Sequence, residues 1–585
     1  MQFIGLDTET INGYCRLIGL SNKESFNIYS LDDMILFLNQ RNGENFLAYN
    51  ADYDAQAILK WLPKKELHYI MLGLEVEYDG IKFLYYKKKF LKFNNNWLFD
   101  VYQYYHAGTL DVCAEKYLKR KKIKIESKIF TEKTIYLKKT INYCIGDATL
   151  AYDLFMKMYH TLPKELLEVK PISTAFYSAK YFKKELLSNR IDRKTNMIAR
   201  CAYHGGRFEI LTRGKFGTSS TDFTNTKKKF DGLYNYDIVS AYPAEICKLR
   251  SMTKFSIVRH KDYIADAAYS LFHVKVEIPG KFVSPLVYKY KGLCLYPVGK
   301  YEGVITKKEF EHIKEYDPEI VSAYHIFTNA ETPFKDRMEK VFYRKCNDEN
   351  KIVWKYLANS LYGKTASATR KYSDRDLDFD VKILDTVEKD GKYYYKVEDI
   401  EKSNFVFASE ITANVRLRMY DQIKKYGDKI IAVQTDSLVS SVPLDVEVNP
   451  TKLGAWSLQK WDEAYMIGSG VYFYRIDKVW YAKYRGFNFS GKKVEDILDA
   501  ILGSDKLYIE FDVLKRISIQ ESKRTHNEDM ANIIVNATRK LNINFDKKRI
   551  WLNKWNTGKE LQTKQIPSLA IFLKDFAGQT SENFL

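Results

Sequence analysis

The first 160 or so residues alternate strand and helix signals, and this alternation constrains the fold more than any other feature of the chain. MQFIGL, CRLIGLS and NFLAYN are short apolar runs typical of buried strands. DAQAILKWL has helical apolar spacing, and Ser30 with Asp33 three residues later resembles a helix N-cap before MILFLNQ. The pattern predicts an α/β unit with a central sheet flanked by helices.

Four carboxylates fall at chosen places in this unit. Asp7 and Glu9 lie in DTET at the end of the first strand, where alternate side chains point to one face. Asp54 lies at the start of the helix in NADYDAQAIL, and Asp147 lies one helical turn after Tyr143 in YCIGDATLAYDLF. Alone, a DxE pair is typical of solvated surface and an Asp near a helix start of a cap. Gathered together, they would need divalent cations, as phosphodiester hydrolysis does.

The order of these segments, a strand DxE, then NxxYD, then YxxxD, resembles the three exonuclease motifs of DNA polymerase proofreading domains, which have a ribonuclease H-like fold. The resemblance implies that Tyr143 orients the attacking water and that the metal ligands are Asp7, Glu9, Asp54 and Asp147. It implies contacts to the trimmed strand from Thr10, Asn50, Tyr53, Thr109 and Leu110. A family lysine should touch the scissile phosphate, and the run KRKKIKIESK leaves several candidates open.

A second set of polar residues lies in three later segments. YNYDIVSAYPAEI places Asp237 at a strand end before Pro243, which by itself is also typical of a strand followed by a proline turn. WKYLANSLYGKTAS, with the three residues before it, predicts a helix with one basic and aromatic face, formed by Lys351, Lys355, Asn359 and Tyr362. IIAVQTDSLVSS is an apolar strand broken by a tight turn at Asp436. The helix face fits a nucleoside triphosphate, with lysines for the phosphates and a ring for the base pair.

These segments resemble motifs A (DxxSxYP), B (KxxxNSxYG) and C (DTDS) of family B DNA polymerases. The resemblance implies that Asp237 and Asp436 are metal ligands and that Lys355 neutralises charge on the phosphates. It implies that Tyr242 excludes a ribose 2′-hydroxyl and that Tyr362 packs against the nascent base pair. The implied nucleotide-binding residues are Ser240, Ala241, Tyr242, Lys351, Lys355, Asn359 and Tyr362.

Motif C departs from the family pattern, because Gln434 stands where the family has its first aspartate. The second aspartate, here Asp436, is the dependable ligand in the family. A neutral amide can still form hydrogen bonds, so we expect activity with an altered metal preference.

Other segments resemble the family's contacts to DNA. AYHGGRF resembles the YxGG element that couples proofreading to synthesis, although two glycines also suit a simple tight turn. A KxY element near the primer terminus is met only by Gly470-Val471-Tyr472, and Lys483 is a candidate for the missing charge. The implied DNA contacts in this half of the chain are Tyr203, Gly205, Gly206, Gly363 and Tyr472.

The spacing of the motifs indicates a branch of the family. More than a hundred residues separate motifs A and B, and roughly seventy separate B and C. Protein-primed polymerases of small phages, adenoviruses and linear plasmids carry two insertions there. We therefore expect α/β and α+β domains: a ribonuclease H-like exonuclease (1–167), a palm (168–248 and 405–508), insertion 1 for terminal-protein docking (249–332), fingers (333–368), insertion 2 with a β-hairpin for processivity and strand displacement (369–404), and a thumb with a carboxy-terminal tail (509–585).

Composition is compatible with this expectation. The formal net charge of +19 attracts polyanions, and the 15% of aromatic residues suits stacking on single strands, although an AT-rich genome explains that share equally well. Seven cysteines without a CxxC pair argue against a disulfide framework or a Cys-rich zinc site. Asp7 interrupts any signal peptide, and no apolar run is long enough to span a bilayer. We expect a location in the host cytoplasm and no membrane partner.

The resemblance therefore predicts a DNA-directed DNA polymerase that replicates a linear genome by protein priming and proofreads with its 3′→5′ exonuclease. Each active site is expected to use two Mg²⁺ or Mn²⁺ ions. The expected partners are template and primer DNA, deoxynucleoside triphosphates and a terminal protein, with the chain as a monomer or in a heterodimer with that protein. Two alternatives are a family B polymerase that uses nucleic-acid primers, and a nucleic-acid-binding protein with a degenerate polymerase half that retains only exonuclease activity.

Overall fold

A computed structural model describes most of the chain. The described residues are 1–105, 108–125, 130–217, 232–279, 283–290, 292–348, 351–373, 383–400, 402–484, 493–503, 508–525, 527–551 and 566–569.

The amino-terminal unit, residues 1–159, is an eight-stranded sheet flanked by helices, in the strand order β3-β2-β1-β4-β8-β7-β6-β5. Its strands are β1 Ile4–Ile11, β2 Tyr14–Leu20, β3 Ser25–Asn27, β4 Asn45–Ala48, β5 Val76–Tyr78, β6 Ile81–Tyr86, β7 Phe90–Phe93 and β8 Asn96–Asp100. Its helices are α1 Leu31–Asn39, α2 Asp52–Leu59, α3 Lys64–Leu72, α4 Tyr102–Tyr105, α5 Leu110–Cys113 and α6 Lys138–Tyr159. β1, β4 and β8 are parallel, and the other neighbours are antiparallel.

Two details of this unit bear on the sequence predictions. The N-cap at Ser30 is confirmed, because its side chain accepts from the Asp33 backbone N–H in a capping box. The end of the first strand was placed too early. β1 pairs with β2 as far as Ile11, so Asp7 and Glu9 lie within the strand rather than at its end.

A second sheet, the central sheet, carries the later carboxylates. Its five antiparallel strands lie in the order Trp456–Trp461, Leu233–Ile238, Ser437–Ser440, Ile430–Thr435 and Arg207–Ile210. The chain enters this sheet through a run of helices and strands. These are α7 Thr174–Tyr181, α8 Lys183–Ser188, α9 Arg193–Ala202, β9 Arg207–Ile210, β10 Thr212–Gly217, β11 Leu233–Ile238 and α10 Ala241–Ile246, of which β9 and β11 belong to the sheet itself. The next residues form a separate four-stranded sheet, β12-β17-β13-β16, with one helix. Its elements and the neighbouring hairpin are β12 Phe255–Arg259, β13 Tyr269–Ile278, β14 Tyr288–Tyr290, β15 Leu293–Leu295, β16 Gly299–Thr306, α11 Lys307–Ile313 and β17 Glu319–Thr328.

Two helices and a small sheet precede the return to the central sheet. They are α12 Lys335–Asn347, α13 Lys351–Thr365, β18 Thr369–Ser373, β19 Ile383–Lys389 and β20 Lys392–Asp399. The predicted hairpin is present as β19–β20, with Asp390 and Gly391 at its turn both at positive φ, 52° and 74°. Residues 374–382, at the start of that prediction, lie outside the described residues.

The chain then completes the central sheet and adds its last elements. These are α14 Phe405–Tyr426, β21 Ile430–Thr435, β22 Ser437–Ser440, β23 Trp456–Trp461, β24 Glu463–Gly468, β25 Val471–Ile476, β26 Val479–Tyr484, α15 Val494–Gly503, β27 Tyr508–Arg516, α16 Ile519–Arg524, β28 Ile534–Asn542, β29 Ile550–Trp551 and β30 Ile566–Leu569. β27 and β28 pair along nine residues, and we call them the C-terminal strand pair. Most of the final forty residues lie outside the described ranges.

One hydrophobic cluster joins the units. It contains Phe3 and Leu154 from the amino-terminal unit, Leu357 from α13, and Phe405 and Val406 from α14, all buried. Burial of this shared apolar surface holds the amino-terminal unit against helices α13 and α14. Within the described ranges, none of the helices combines the length and apolar character that crossing a bilayer requires.

Candidate active sites

The first acidic site, Asp7, Glu9, Asp54 and Asp147, is assembled from β1, α2 and α6. Helix α6 lies directly on β1, because a Cβ at Gly5 would meet the carbonyl oxygen of Ala148 at 2.0 Å. Ligand atoms of Asp7, Glu9 and Cys144 all lie within 4.8 Å of one another. Asp54 reaches the same strand, because its Oδ1 accepts from the backbone N–H and hydroxyl of Thr8 at 3.0 and 2.8 Å. The structure therefore brings together residues that are 140 positions apart in the chain.

Two carboxylates of this site, Asp7 and Asp54, have a raised pKa. Burial, followed by the charges of Asp147, Glu9 and Asp54, raises the pKa of Asp7 well above its usual value. Burial raises the pKa of Asp54 to about 7, although both hydrogen bonds from Thr8 favour its ionised form. Carboxylate oxygens gathered at one place, with their like negative charges, are the donor set that hard divalent cations prefer. The residues present therefore fit such cations.

Lys122 is the cation of the first acidic site, and the sequence did not single it out. Its ammonium forms an ion pair with the Asp147 carboxylate and lies 4.7 Å from the centroid of the Tyr143 ring. Burial lowers the pKa of Lys122, but the charge of Asp147 and its hydrogen bond, together with the contact of Tyr143, outweigh burial and raise it. Lys122 belongs to the run KRKKIKIESK, whose lysines are indistinguishable by sequence. Only the packing against α6 identifies it.

The residues predicted to contact the trimmed DNA strand differ in their exposure and in their contacts within the protein. The hydroxyls of Thr10 and Tyr53 are 2.6 Å apart, which links β1 to α2. Asn50 is exposed, at φ 65°, with its backbone N–H bonded to Asp100. Thr109 caps α5, and Leu110 is buried in the hydrophobic cluster. Their contacts with DNA remain predictions.

The second acidic site consists of Asp237 on β11 and Asp436 at the turn between β21 and β22. β11 and β22 are antiparallel neighbours, and the Ile238 N–H donates to the carbonyl of Asp436 at 2.8 Å. Thr435 has φ 66°, so the backbone turns sharply where the sequence predicts a tight turn. Burial, then the Asp436 charge, raises the pKa of Asp237 to about 7, against the opposing effects of two lysines. Burial also raises the pKa of Asp436.

The two lysines that face Asp237 are Lys345 on α12 and Lys355 on α13. Lys355 was predicted, whereas Lys345 was missed. The Lys345 ammonium donates to the Ser240 hydroxyl at 2.5 Å, and burial, together with the charge of Lys355, lowers its pKa. Ser240 has φ 52° at the start of α10, and Ala241 beside it is buried. Sequence spacing cannot reveal Lys345, because its contact with Ser240 joins residues that are 105 positions apart in the chain.

The predicted face of α13 opens toward this site. Lys351, Lys355 and Gly363 are exposed, and Asn359 and Tyr362 are partly exposed. The Tyr362 ring lies 4.3 Å from the Tyr242 ring, centroid to centroid. Tyr242 is also close to the YxGG-like loop, because a Cβ at Gly206 would meet its hydroxyl at 3.1 Å and Thr435 Cγ2 at 2.5 Å. Gly206 therefore lets that loop lie against both motif-like segments.

Arg416, on α14, binds the backbone of the YxGG-like loop, a contact that the sequence did not predict. Its side chain is 1% exposed and donates to the carbonyls of His204 and Gly205 at 2.8 and 3.1 Å. It also pairs with Glu309 of α11 at 2.7 Å. Tyr203 packs on Phe405, with ring centroids 5.6 Å apart. The loop is thus held by two residues of α14, Phe405 and Arg416, which follow it in the chain.

Gln434 and Tyr472 meet at the edge of the second acidic site. The Tyr472 hydroxyl donates to Gln434 Oε1 at 2.6 Å. Lys483 is the direct cross-strand partner of Tyr472 in the β25–β26 pair, so their side chains leave the same face. Lys483 therefore lies beside Tyr472, and its role as the missing charge of the KxY element stays a prediction.

Comparisons with known proteins agree with this geometry. Residues 79–441 match the family model described as DNA polymerase type B, organellar and viral. The chain is 22% identical over 388 residues to a probable DNA polymerase of Neurospora intermedia, covering 57% of this chain and 37% of that protein. It is 24% identical over 301 residues to a DNA polymerase of Acidianus bottle-shaped virus, covering 48% and 41%. The chain thus spans about two fifths of the length of these curated relatives.

Solved structures share the fold. The orthorhombic crystal form of Phi29 DNA polymerase superposes with a TM-score of 0.66 at 16% identity, covering 92% of this chain and 99% of that one. Its ternary complex with primer-template DNA and incoming nucleotide superposes with a TM-score of 0.63 over the same shares. The predicted fold class, an exonuclease domain followed by a right-hand arrangement of palm, fingers and thumb, is therefore confirmed.

Proposed function

We infer that this chain, which belongs to the organellar and viral family of type B DNA polymerases, extends DNA in a template-directed reaction and trims 3′ ends at a separate site. One observation carries the inference. Its buried and half-buried carboxylates form two clusters, the first acidic site on β1, α2 and α6 and the second on β11 and the β21–β22 turn. Lys122 lies at the first cluster and Lys345 and Lys355 at the second, so each can stabilise a phosphoryl-transfer transition state independently.

The second acidic site has the parts that nucleotide addition needs. Lys345, Lys355 and Lys351 project from α12 and α13 as cations for a triphosphate. Tyr242, packed against the Tyr362 ring, would exclude a ribose 2′-hydroxyl. Asn359 and Gly363 lie on the same helix for contact with the nucleotide and the template.

The first acidic site has the parts that strand hydrolysis needs. Tyr143 and Lys122 lie side by side next to Asp147, where they can orient the attacking water and contact the scissile phosphate. Thr10 and Tyr53, whose hydroxyls meet, would contact the 3′ end together with Asn50, Thr109 and Leu110.

Both sites would hold divalent cations. Asp7, Glu9, Asp54 and Asp147 would bind two Mg²⁺ or Mn²⁺ ions, and Asp237 and Asp436 would bind two more. When bound, these ions neutralise charge on the attacking and leaving oxygens of the phosphate. The chain's own residues position the strand, the nucleotide and the water around them.

We propose further that synthesis starts from a protein hydroxyl. The four-stranded sheet of β12–β17 interrupts the chain between the second site's first two segments, and the β19–β20 hairpin interrupts it before the third. That hairpin reaches the amino-terminal unit, where Asp390 pairs with Lys65 at 3.3 Å and the Glu388 carbonyl accepts from Tyr69 at 3.1 Å. Such a bridge can enclose a template strand. Priming from nucleic acid is the alternative, with both insertions serving processivity alone.

Two variants test the two-site model. Asp237→Ala should abolish primer extension and spare degradation of mismatched 3′ ends, and Asp7→Ala should do the reverse. Equal loss of both activities in both variants, with unchanged thermal stability, would contradict the model. It would also revive the alternative of a degenerate binding protein if extension were absent in the unmodified chain.

Protein priming has its own test. The chain is incubated with the candidate terminal protein from the same genome, a labelled deoxynucleotide and Mn²⁺. Covalent label on the terminal protein supports protein priming. Extension of an oligonucleotide primer without any labelled protein supports the alternative.

A further inference from the structure

The C-terminal strand pair and α16 pack against the amino-terminal unit beside the first acidic site. The Ile519 N–H donates to the Gln56 side chain of α2 at 3.0 Å, and the Asn532 side chain donates to the Gly13 carbonyl at 3.2 Å. Gln56 and Asn532 are each 1% exposed. A Cβ at Gly13 would meet the Ala531 carbonyl oxygen at 2.5 Å, so the β1–β2 turn and the C-terminal segment lie in direct backbone contact. The junction is buried and specific.

Lys60 also joins the β1–β2 turn to the C-terminal segment. Its ammonium donates to the carbonyls of Asn12 and Ala531 at 2.7 and 2.6 Å. One cation therefore joins the turn that follows β1 to the segment between α16 and β28. Because β1 carries Asp7 and Glu9, this contact holds one wall of the first acidic site to the C-terminal segment.

Asp52 and Arg516 join the other wall. Asp52, 2% exposed, accepts from Arg516 at the end of β27, from the Tyr85 hydroxyl and from the Lys88 backbone N–H. The Arg516 guanidinium also lies 5.7 Å from the centroid of the Tyr53 ring. The next residue after Tyr53 is Asp54. Arg516 thus contacts two of the first three residues of α2, and the third is a carboxylate of the first acidic site.

The first turn of α2 depends on such outside support. Its N-cap residue is Ala51, which offers no side-chain acceptor, and a helix start normally gains stability from one. Asp100 substitutes in part, by accepting from the N–H groups of Asn50 and Ala51 at 2.9 and 3.2 Å. Arg516, acting through Asp52, adds a contact from the C-terminal strand pair to those that Thr8, Tyr85 and Lys88 make with the same turn.

We propose that Arg516 is a positioning residue for strand trimming: through Asp52 and the Tyr53 ring it fixes the first turn of α2, and with it the Asp54 carboxylate and the Tyr53–Thr10 hydroxyl pair. The proposal rests on the proposed exonuclease function of the first acidic site. It assigns the C-terminal strand pair a part in that site, although the pair lies more than 450 residues from α2 in the chain. The second acidic site has no share in this contact, because Asp237 and Asp436 lie on the central sheet.

The test uses the full chain with Arg516→Ala, Arg516→Lys and Asp52→Asn. Lys540→Ala is the matched control, because it removes an exposed cation from the same strand pair. Arg516→Ala should lower kcat for degradation of a single-stranded oligonucleotide about tenfold, since small displacements of a reacting group are costly. The Mg²⁺ concentration for half-maximal degradation should rise, and primer extension should change less than about twofold. Arg516→Lys should recover part of the loss, and Lys540→Ala should match the unmodified chain.

A second readout needs no catalysis. In EDTA, fluorescence anisotropy should report weaker binding of the single-stranded oligonucleotide by Arg516→Ala than by Lys540→Ala. Combining Asp52→Asn with Arg516→Ala should lower degradation no further than the worse single change, because both remove one contact. Multiplicative losses, or degradation by Arg516→Ala equal to that of Lys540→Ala, would overturn the proposal. An unmodified chain that extends primers but degrades no single strand would overturn the exonuclease function itself, and the proposal with it.

Discussion

Tyr472 donates a 2.6 Å hydrogen bond to the side-chain oxygen of Gln434, so the residue that replaces the family's first motif C aspartate has a defined partner. The Tyr472 ring stacks with that of Trp461 at a centroid distance of 6.0 Å, which fixes the hydroxyl. Gln434 therefore ties β21 to β25 beside Asp436 without adding a third negative charge. The departure from the family pattern leaves the two carboxylates of the second acidic site intact.

Removal of this bond should reduce extension modestly and not abolish it. Gln434→Ala and Tyr472→Phe should each lower kcat/KM for primer extension by about 2- to 12-fold, the equivalent of a net hydrogen-bond contribution of about 0.5 to 1.5 kcal/mol. The double variant should lose no more extension activity than the more impaired single variant, because both changes delete the same contact. Steady-state extension assays on the three variants measure this, and independent, multiplying losses would contradict the structure.

Gly206 is predicted to be intolerant of any side chain. Gly206→Ala would drive a Cβ to 2.5 Å from Thr435 Cγ2 and push the YxGG-like loop away from the second acidic site. Gly205→Ala has no atom within 4 Å of its Cβ and should cost much less extension activity. We expect Gly206→Ala to lose about tenfold or more in extension rate while trimming of single strands persists. Equal extension by the two alanine variants would show that the close contact has no functional weight.

The sequence placed most of the carboxylates correctly, for a local reason. Asp237 and Asp436 follow or interrupt apolar strands, and Tyr143 and Asp147 lie one turn apart on a helix, so short-range periodicity fixes which face each occupies. The end of β1 was misjudged because Asp7 and Glu9 look polar enough to end a strand. Pairing with β2, which is a tertiary effect, extends β1 to Ile11.

The residues that the sequence missed are those whose role arises from packing between distant segments. Lys122 is one of several lysines in a basic run, and only its ion pair with Asp147 distinguishes it. Lys345 and Arg416 lie on helices whose amphipathic pattern accounts for them equally well as surface and core residues. Arg516 is separated from its partner Asp52 by most of the chain. No spacing rule reaches across such distances.

Tyr242 should control the choice of sugar. Its ring is held between Tyr362, 4.3 Å away, and the loop at Gly206, so it has little freedom to move aside for a 2′-hydroxyl. Tyr242→Ala should lower discrimination against ribonucleotides by about tenfold or more, while Tyr242→Phe, which keeps the ring, should preserve it. The measurement is the ratio of kcat/KM for a deoxynucleotide and its ribonucleotide. Unchanged selectivity in Tyr242→Ala would place the sugar elsewhere.

Stability without divalent cations should fall as the pH rises. The pKa of Asp54 and that of Asp237 are each raised to about 7 in the fold, the first by burial and the second by burial and then the Asp436 charge. An unfolded aspartate titrates near about 3.9, so between these values the folded chain holds protons that the unfolded chain has released. The free energy of unfolding therefore decreases through this window. In EDTA, the Tm of the unmodified chain should drop between pH 5 and pH 8 more steeply than that of Asp54→Asn or Asp237→Asn, and parallel profiles would contradict the raised pKa values.

Lys122 should be required for trimming and dispensable for extension. Its ammonium pairs with Asp147 and lies over the Tyr143 ring, so Lys122→Ala removes the cation next to the site where a phosphate would be cleaved. We expect degradation of single strands to fall by about 10- to 1,000-fold, the range for loss of an electrostatic group at a reacting centre, with extension essentially retained. Lys124→Ala is the matched control, because Lys124 lies in the same basic run and is exposed. If both variants lost the same modest activity, the run would act only as a general attractor for DNA, and the ion pair with Asp147 would have no part in the chemistry.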